Sequence, residues 1–141
     1  METSVYCDIV SADESLFSGA VRMVVATGSI GEMGITPGHA PLLSHLKPGP
    51  IRLVMENEEE QVFYLSGGYI EVQPNNIAIL ADTAVRAGDI DEASAAEALK
   101  SAEQAMANLS SEIDYSKAAI MLAEATAQLR TVQTLRKKLG S

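Results

Sequence analysis

The 141-residue chain has no tryptophan, one cysteine, two histidines and only six Phe and Tyr residues, so its apolar content of 47% is almost entirely aliphatic. A lone Cys7 excludes an internal disulfide and fits a reducing compartment such as the cytosol. Bases are outnumbered ten to nineteen by acids, giving a formal net charge of −9. An acidic body repels nucleic acid and anionic lipid over any broad face, which argues against both as direct partners. No apolar run approaches the roughly 20 residues that span a bilayer. The opening METSVYCDIV has no basic region followed by an apolar one, so a secretory signal is not expected. The composition otherwise suits one ordinary domain, or one compact domain with an appendage.

Proline and glycine are scarce outside one stretch. Residues 28–50, GSIGEMGITPGHAPLLSHLKPGP, hold five of the ten glycines, four of the five prolines and both histidines. That density forbids an uninterrupted helix and predicts a shaped loop. Strand-like segments surround it. Residues 5–10 alternate Val5, Cys7 and Ile9 against Tyr6, Asp8 and Val10. Residues 21–26 are continuously apolar and β-branched, as in a buried strand. Residues 51–55 and 61–65 flank the acidic run ENEEE, a hairpin whose tip stays in water. Gly67-Gly68 permits positive φ or a bulge before residues 69–72. Pro74-Asn75-Asn76 is a turn into another strand at residues 77–80. Short strands at close spacing predict an all-β sandwich or barrel over residues 1–86.

The pattern then changes, because after Gly88 no glycine occurs before Gly140, no proline follows Pro74, and alanine becomes the commonest residue. Asp89 with Glu92, or Asp91 alone, can cap a first helix running to about Asn108, with Leu99, Ala102, Met106 and Leu109 as its apolar stripe. A break over residues 108–114, with Asp114 as a fresh cap, precedes a second helix whose stripe is Ala118, Leu122, Ala125, Leu129, Val132 and Leu139. Two such helices form an antiparallel hairpin. Its stripes are poor in large side chains, and each alanine in place of a large residue forgoes about 1.5 kcal/mol or more of burial. Weak docking on the sandwich, and a hairpin that can open, follow. Residues 1–88 carry net −7 and residues 89–141 net −2, and the last twelve residues bear Arg130, Arg136, Lys137 and Lys138 with no acid. Such a basic tip suits a helix C-terminus or an acidic partner.

Catalytic motifs are missing. His39 and His45, with Glu32 as the nearest acid in sequence and no cysteine nearby, fall short of a metal site. Gly28, Gly31 and Gly34 lack the GK[ST] ending or strand-to-helix setting of a phosphate loop. No serine lies in a G-x-S-x-G elbow. Glu32 and His39 share a loop and could serve as acid and base, but their separation in sequence says nothing of proximity. Met33, Gly34 and Ile35 put apolar groups where a solvated loop is normally polar, which marks either a contact surface or residues tucked under the sandwich.

The succession DIVSADESLFSG, VATG, GEMGITPGHAPLL, LKPG, YLSGGYIEVQPN and LADTA, followed by a helical tail, resembles the epsilon subunit of bacterial F-type ATP synthases over essentially the whole chain. The resemblance implies a ten-stranded β-sandwich over residues 1–87 and a regulatory two-helix hairpin over residues 88–141. It implies a non-catalytic rotor subunit, without cofactor or metal, on the cytoplasmic face of the bacterial plasma membrane and bound there only through its complex. Its sandwich would bind the gamma subunit and the c-ring of a proton-driven rotor. The hairpin would extend along gamma to the alpha and beta subunits and restrain ATP hydrolysis.

By motif, Glu32 with Ile30 and Met33 resembles the c-ring contact, and Ser11, His39 and Ser44 resemble positions facing gamma. Arg130, Lys137 and Lys138 resemble bases that meet an acidic segment of beta in the extended state. Some members bind ATP through an I/L-D-x-x-R-A motif. The matching stretch here begins Ile90-Asp91 and has Ser94 in place of the arginine. Loss of that guanidinium removes a strong phosphate contact, so weak or absent ATP binding is expected, an expectation that micromolar affinity by calorimetry would contradict.

Overall fold

A computed structural model describes residues 3–28, 31–108 and 112–139, with the side chains of residues 112–114 and 137–139 left aside. Ten strands precede two helices: β1 (Val5–Val10), β2 (Ser15–Val21), β3 (Met23–Gly28), β4 (Gly31–Ile35), β5 (Leu42–Leu46), β6 (Gly49–Val54), β7 (Glu60–Leu65), β8 (Gly68–Gln73), β9 (Asn76–Ala81), β10 (Ala84–Arg86), α1 (Glu92–Ala107) and α2 (Glu112–Leu139). The strand order is β10-β7-β6-β3-β5-β8-β9-β1-β2, with β4 paired to β3. Between β3 and β5 the only pairing is Gly28 with Leu46. There the sheet folds over into two layers, β10-β7-β6-β3-β4 and β5-β8-β9-β1-β2. This is the expected ten-stranded sandwich followed by two helices.

Alternation along the strands builds the core. Val5, Cys7 and Ile9 of β1, Ile70 and Val72 of β8, and Ile77 and Ile79 of β9 point inward to meet Val24, Leu53, Phe63 and Leu65 of the other layer. Burial, with the neighbouring Asp8 charge, pushes the Cys7 thiol up to about 12, so it behaves as an inert core group. The free ends of the two layers meet at a side-chain seam. Phe17 of β2 packs edge-on against Phe63, and Arg86 lies over the Phe63 ring while donating to the Leu16 carbonyl at 2.9 Å.

The Gly/Pro stretch departs from the expected loop. It contains all of β4 and β5 and the start of β6. Pro37, Pro41 and Pro48 fall between strands, and Pro50 lies beyond the Arg52–Val54 segment that pairs with β3, so its missing N–H costs that ladder nothing. Thr36 accepts from the His39 N–H at 3.2 Å, closing a turn in which Gly38 has φ +81°. The predicted acidic hairpin joins β6 to β7, pinned by Arg22 on Glu58 and by Arg52 on Glu60 at 3.0 Å. Gly68, at φ +143°, leaves no room for a side chain: a Cβ there would lie 2.0 Å from the Leu80 carbonyl oxygen.

A 3-10 turn over residues 87–89 leads into α1, whose cap is Asp91 rather than Asp89. The helix ends at Asn108. The second helix begins at Glu112, so Asp114 lies inside α2 instead of capping it, and Leu109 falls outside the described residues. Arg136 of α2 pairs with Glu92 of α1, which makes the helices antiparallel. On α1 the buried residues are Ala95 and Ala102. On α2 the expected stripe is buried at Ala118, Ala125 and Val132 and half-buried at Leu122 and Leu129, the Leu139 side chain lies outside the described residues, and Ala127 and Thr131 are buried as well. Thr131 satisfies its hydroxyl on the Ala127 carbonyl at 2.7 Å. Among the described residues no helix is long and apolar enough to cross a membrane.

Candidate functional site

The two layers have outer faces of similar chemistry and opposite fate. On one, α2 packs across β6 and β7. Val54, Val62 and Tyr64, which alternate with core residues and so point outward, are only 6%, 5% and 3% exposed beneath it. The Tyr64 hydroxyl lies near Gln128 without a hydrogen bond of good geometry. Burial, and then the charge of Glu124, push it up to about 12 against a smaller opposing influence of Gln128.

On the other layer the outward residues are bare. Leu43 is 69% exposed, Leu80 58%, Tyr69 48% and Tyr6 47%. Strand register aligns them. His45 of β5 faces Tyr69 of β8, Tyr69 faces Leu80 of β9, and Leu80 faces Val10 of β1, while Leu43 lies two residues along β5. His45 and Tyr69 meet edge to face at 4.4 Å. Farther along the same face, Tyr6 bonds Ser18, whose hydroxyl donates to Asp8 at 2.7 Å. Exposed large side chains gathered on one sheet face, in register, are the signature of a contact surface.

The residues expected to face gamma scatter around this layer. Ser11 follows β1 at the Val10–Leu80 end, with its N–H and hydroxyl directed at the Glu14 carbonyl at 2.9 and 3.4 Å. His39 lies at the opposite end, beside the turn holding Pro74, with Nδ1 donating to the Ala40 carbonyl at 2.7 Å. Ser44 sits between the outward Leu43 and His45, so it points the other way, with its hydroxyl donating to the His45 carbonyl at 3.2 Å. Tyr69 and Leu80 were not singled out from the sequence. The alternation of Tyr69 and Glu71 with buried Ile70 and Val72 is the signal that marks Tyr69 as outward.

The residues expected at the c-ring lie on the other layer. Glu32 is exposed on β4, a strand paired only to β3. Met33 turns toward the body and packs against the core, Ile35 is buried, and Ile30 lies outside the described residues. Arg130 is exposed on α2. Lys137 and Lys138 belong to the same helix, but their side chains lie outside the described residues.

The stretch resembling a nucleotide motif is a helix cap. Asp91 accepts from Ala93 N and Ser94 N at 3.0 and 3.3 Å and from the Ser94 hydroxyl at 3.0 Å, and these bonds, led by the Ser94 N–H, hold its carboxyl below the usual range. Ile90 closes the preceding 3-10 turn with its N–H on the Ala87 carbonyl. Among the described residues no group of three or more potential metal ligands converges.

Two family models match the chain in succession: the ATP synthase delta/epsilon chain β-sandwich domain over residues 4–87, and the long α-helix domain of the same chain over residues 89–133. Among solved structures, a chain of the Euglena gracilis mitochondrial ATP synthase, determined with OSCP, F1 and the c-ring, superposes with a TM-score of 0.79 at 21% identity, covering 99% of this chain and 83% of that one. A chain from the central stalk and c-ring of the Tetrahymena thermophila mitochondrial ATP synthase gives a TM-score of 0.59 at 13% identity, covering 93% and 95%. At such identities the superpositions speak for the fold, and the two family models speak for descent: the chain belongs to the ATP synthase delta/epsilon family.

Proposed function

We propose that this chain is the epsilon-type, non-catalytic central-stalk subunit of a proton-translocating F-type ATP synthase on the cytoplasmic face of a bacterial plasma membrane, reached only through its complex. The observation that carries this reading is the bare apolar sheet face around Leu43, Tyr69 and Leu80, in a family whose solved relatives come from stalk and c-ring assemblies. Residues 1–87 act as the binding body. The bare face, bordered by Ser11 and His39 and backed by Ser44, meets gamma. Glu32, exposed on β4, meets the c-ring, with its sequence neighbours Ile30 and Met33 completing the contact, Met33 only through the part of its side chain that the core leaves uncovered.

Residues 88–141 act as the regulatory unit. The docked hairpin rests on Val54, Val62 and Tyr64 largely through alanines, a contact weak enough to exchange for one along gamma. In that extended state Arg130, Lys137 and Lys138 reach an acidic segment of beta and restrain hydrolysis alongside alpha. Two measurements test the two halves of the proposal. Leu43→Asp together with Leu80→Asp abolishes co-purification with gamma, and retained binding sinks the assignment of that face. Deleting residues 118–141 raises ATP hydrolysis by the reconstituted complex, and unchanged hydrolysis sinks the brake.

A further inference from the structure

Where the sandwich meets the hairpin there is a cleft of about 440 Å3. One wall is the turn between β5 and β6, through Lys47 and Pro48, and the other is the hairpin, through Met106 of α1 and Tyr115, Leu122 and Arg130 of α2. The space exists because α2 presents small residues there, Ala119, Ala123 and Thr126, where larger side chains would fill it. Its volume falls within the roughly 300–1,000 Å3 common for small-molecule sites.

The charge of the cleft runs against that of the molecule. On a chain of net charge −9, no acidic side chain among the described residues lines it, and both charged residues described there are basic. Arg22, Arg52 and Arg136 are each paired with a glutamate, whereas Lys47 and Arg130 have no carboxylate partner among the described residues. Tyr115 and Thr126 also line it, and neither hydroxyl makes a hydrogen bond to another described residue. An apolar slot with two unneutralised cations and spare hydroxyls is complementary to a molecule with an apolar body and one anionic head. A polyphosphate is a poor match, because the lining holds no glycine-rich loop to surround it with backbone N–H groups.

We infer that this cleft binds a small amphipathic anion, of the class of a medium-chain aliphatic carboxylate, with its head between Lys47 and Arg130 and its chain along Met106 and Leu122. Such an occupant touches the sandwich and α2 at once, so it binds only while the hairpin is docked. By mass action, ligand at 100 times its Kd favours the docked state about 100-fold. The binding step does not depend on the proposed rotor role, since it is measured on the isolated chain.

The test is calorimetric titration of the full chain with dodecanoate below its micellar concentration, with dodecanol as the neutral comparison. Dodecanoate is expected to bind at one site, and dodecanol at least about tenfold more weakly. Lys47→Gln and Arg130→Gln should each weaken dodecanoate by about tenfold, Ala123→Trp should abolish binding by filling the cleft, and Leu43→Asn on the bare sheet face should change nothing. Circular dichroism of each variant verifies folding. Absence of saturable binding, equal binding of acid and alcohol, or loss only in Leu43→Asn overturns the site. Limited proteolysis of α2 should slow in dodecanoate; if binding survives while proteolysis is unchanged, the hold on the hairpin is overturned and the site stands.

Discussion

The two outer faces of the sandwich differ less in composition than in what covers them. Val54, Val62 and Tyr64 lie under the chain's own α2, whereas Leu43, Tyr69 and Leu80 are left exposed by the described residues. The core cluster between the layers includes residues of neither face. One face is therefore closed by an internal lid, and the other is open. Among the described residues those buried on α1 and α2 are alanines, one valine and one threonine, with Leu99, Met106, Leu122 and Leu129 half-buried, so the lid forgoes part of the burial that large side chains would give.

The harshest way to break the comparison is to remove the scaffold both faces share. Gly68→Val should unfold the sandwich, because its Cβ would sit 2.0 Å from the Leu80 oxygen in a backbone conformation that valine avoids. A loss above about 4 kcal/mol is expected, of the size reserved for such backbone conflicts. Urea unfolding measures it, and a variant with wild-type stability would show that β8 and β9 can separate at that rung.

A matched pair of charges separates the faces. Val62→Asp buries a carboxylate beneath α2 and should release the hairpin, read as rapid proteolysis of α2 while the sandwich transition persists. Leu43→Asp places the same group in water and should alter stability by no more than about 0.5 kcal/mol, while weakening any partner that uses that face. Equal effects of the two variants on hairpin proteolysis would erase the distinction drawn between the faces.

How far the sequence discloses this arrangement depends on where local pattern and tertiary pairing agree. Strict alternation reveals β1, Gly67-Gly68 marks the start of β8, and ENEEE reveals the tip between β6 and β7. Residues 28–50 conceal β4 and β5 because glycine and proline dominate composition, while strand formation there depends on pairing with β3 and β8. The bare face is hidden for a related reason. LLSHL offers apolar groups on both sides, and only the pairing of Leu43 with Glu71 and His45 with Tyr69 decides that Leu43 faces out. Motif positions such as Ser11 and His39 are legible one by one, but their placement at opposite ends of a layer is a property of topology.

Tyr64 sharpens the comparison through ionisation. Its folded pKa, about 12, is raised above the ordinary value near 10, so the docked state favours the neutral phenol. The stabilisation is fully present below the unfolded pKa and is lost as pH rises from about 10 to about 12. Hairpin docking should loosen over that window, and Tyr64→Phe should remove this pH dependence. At neutral pH the same substitution should leave docking unchanged or strengthen it by up to about 1 kcal/mol, because it deletes a buried hydroxyl that lacks a good hydrogen bond. Cys7 also resists ionisation, toward about 12 from 9, but in the core, so alkaline loosening must be read at α2 in wild type against Tyr64→Phe.

The smallest effect belongs to the ion pair at the open end of the hairpin. Arg136 joins Glu92, tying the last turns of α2 to the first turn of α1, with side chains 67% and 42% exposed. Solvent and salt screen such a pair, so Arg136→Gln should cost about 0.2–1 kcal/mol of hairpin stability and most of that should vanish in 1 M salt. Native-state hydrogen exchange at the start of α1 is sensitive enough to see it. The Asp91 cap remains in this variant, so faster exchange confined to the Glu92 end would separate a tie between helices from a cap within one. Faster exchange spread evenly along α2, including the part over Val62 and Tyr64, would mean instead that the ion pair helps hold the lid on its face of the sandwich.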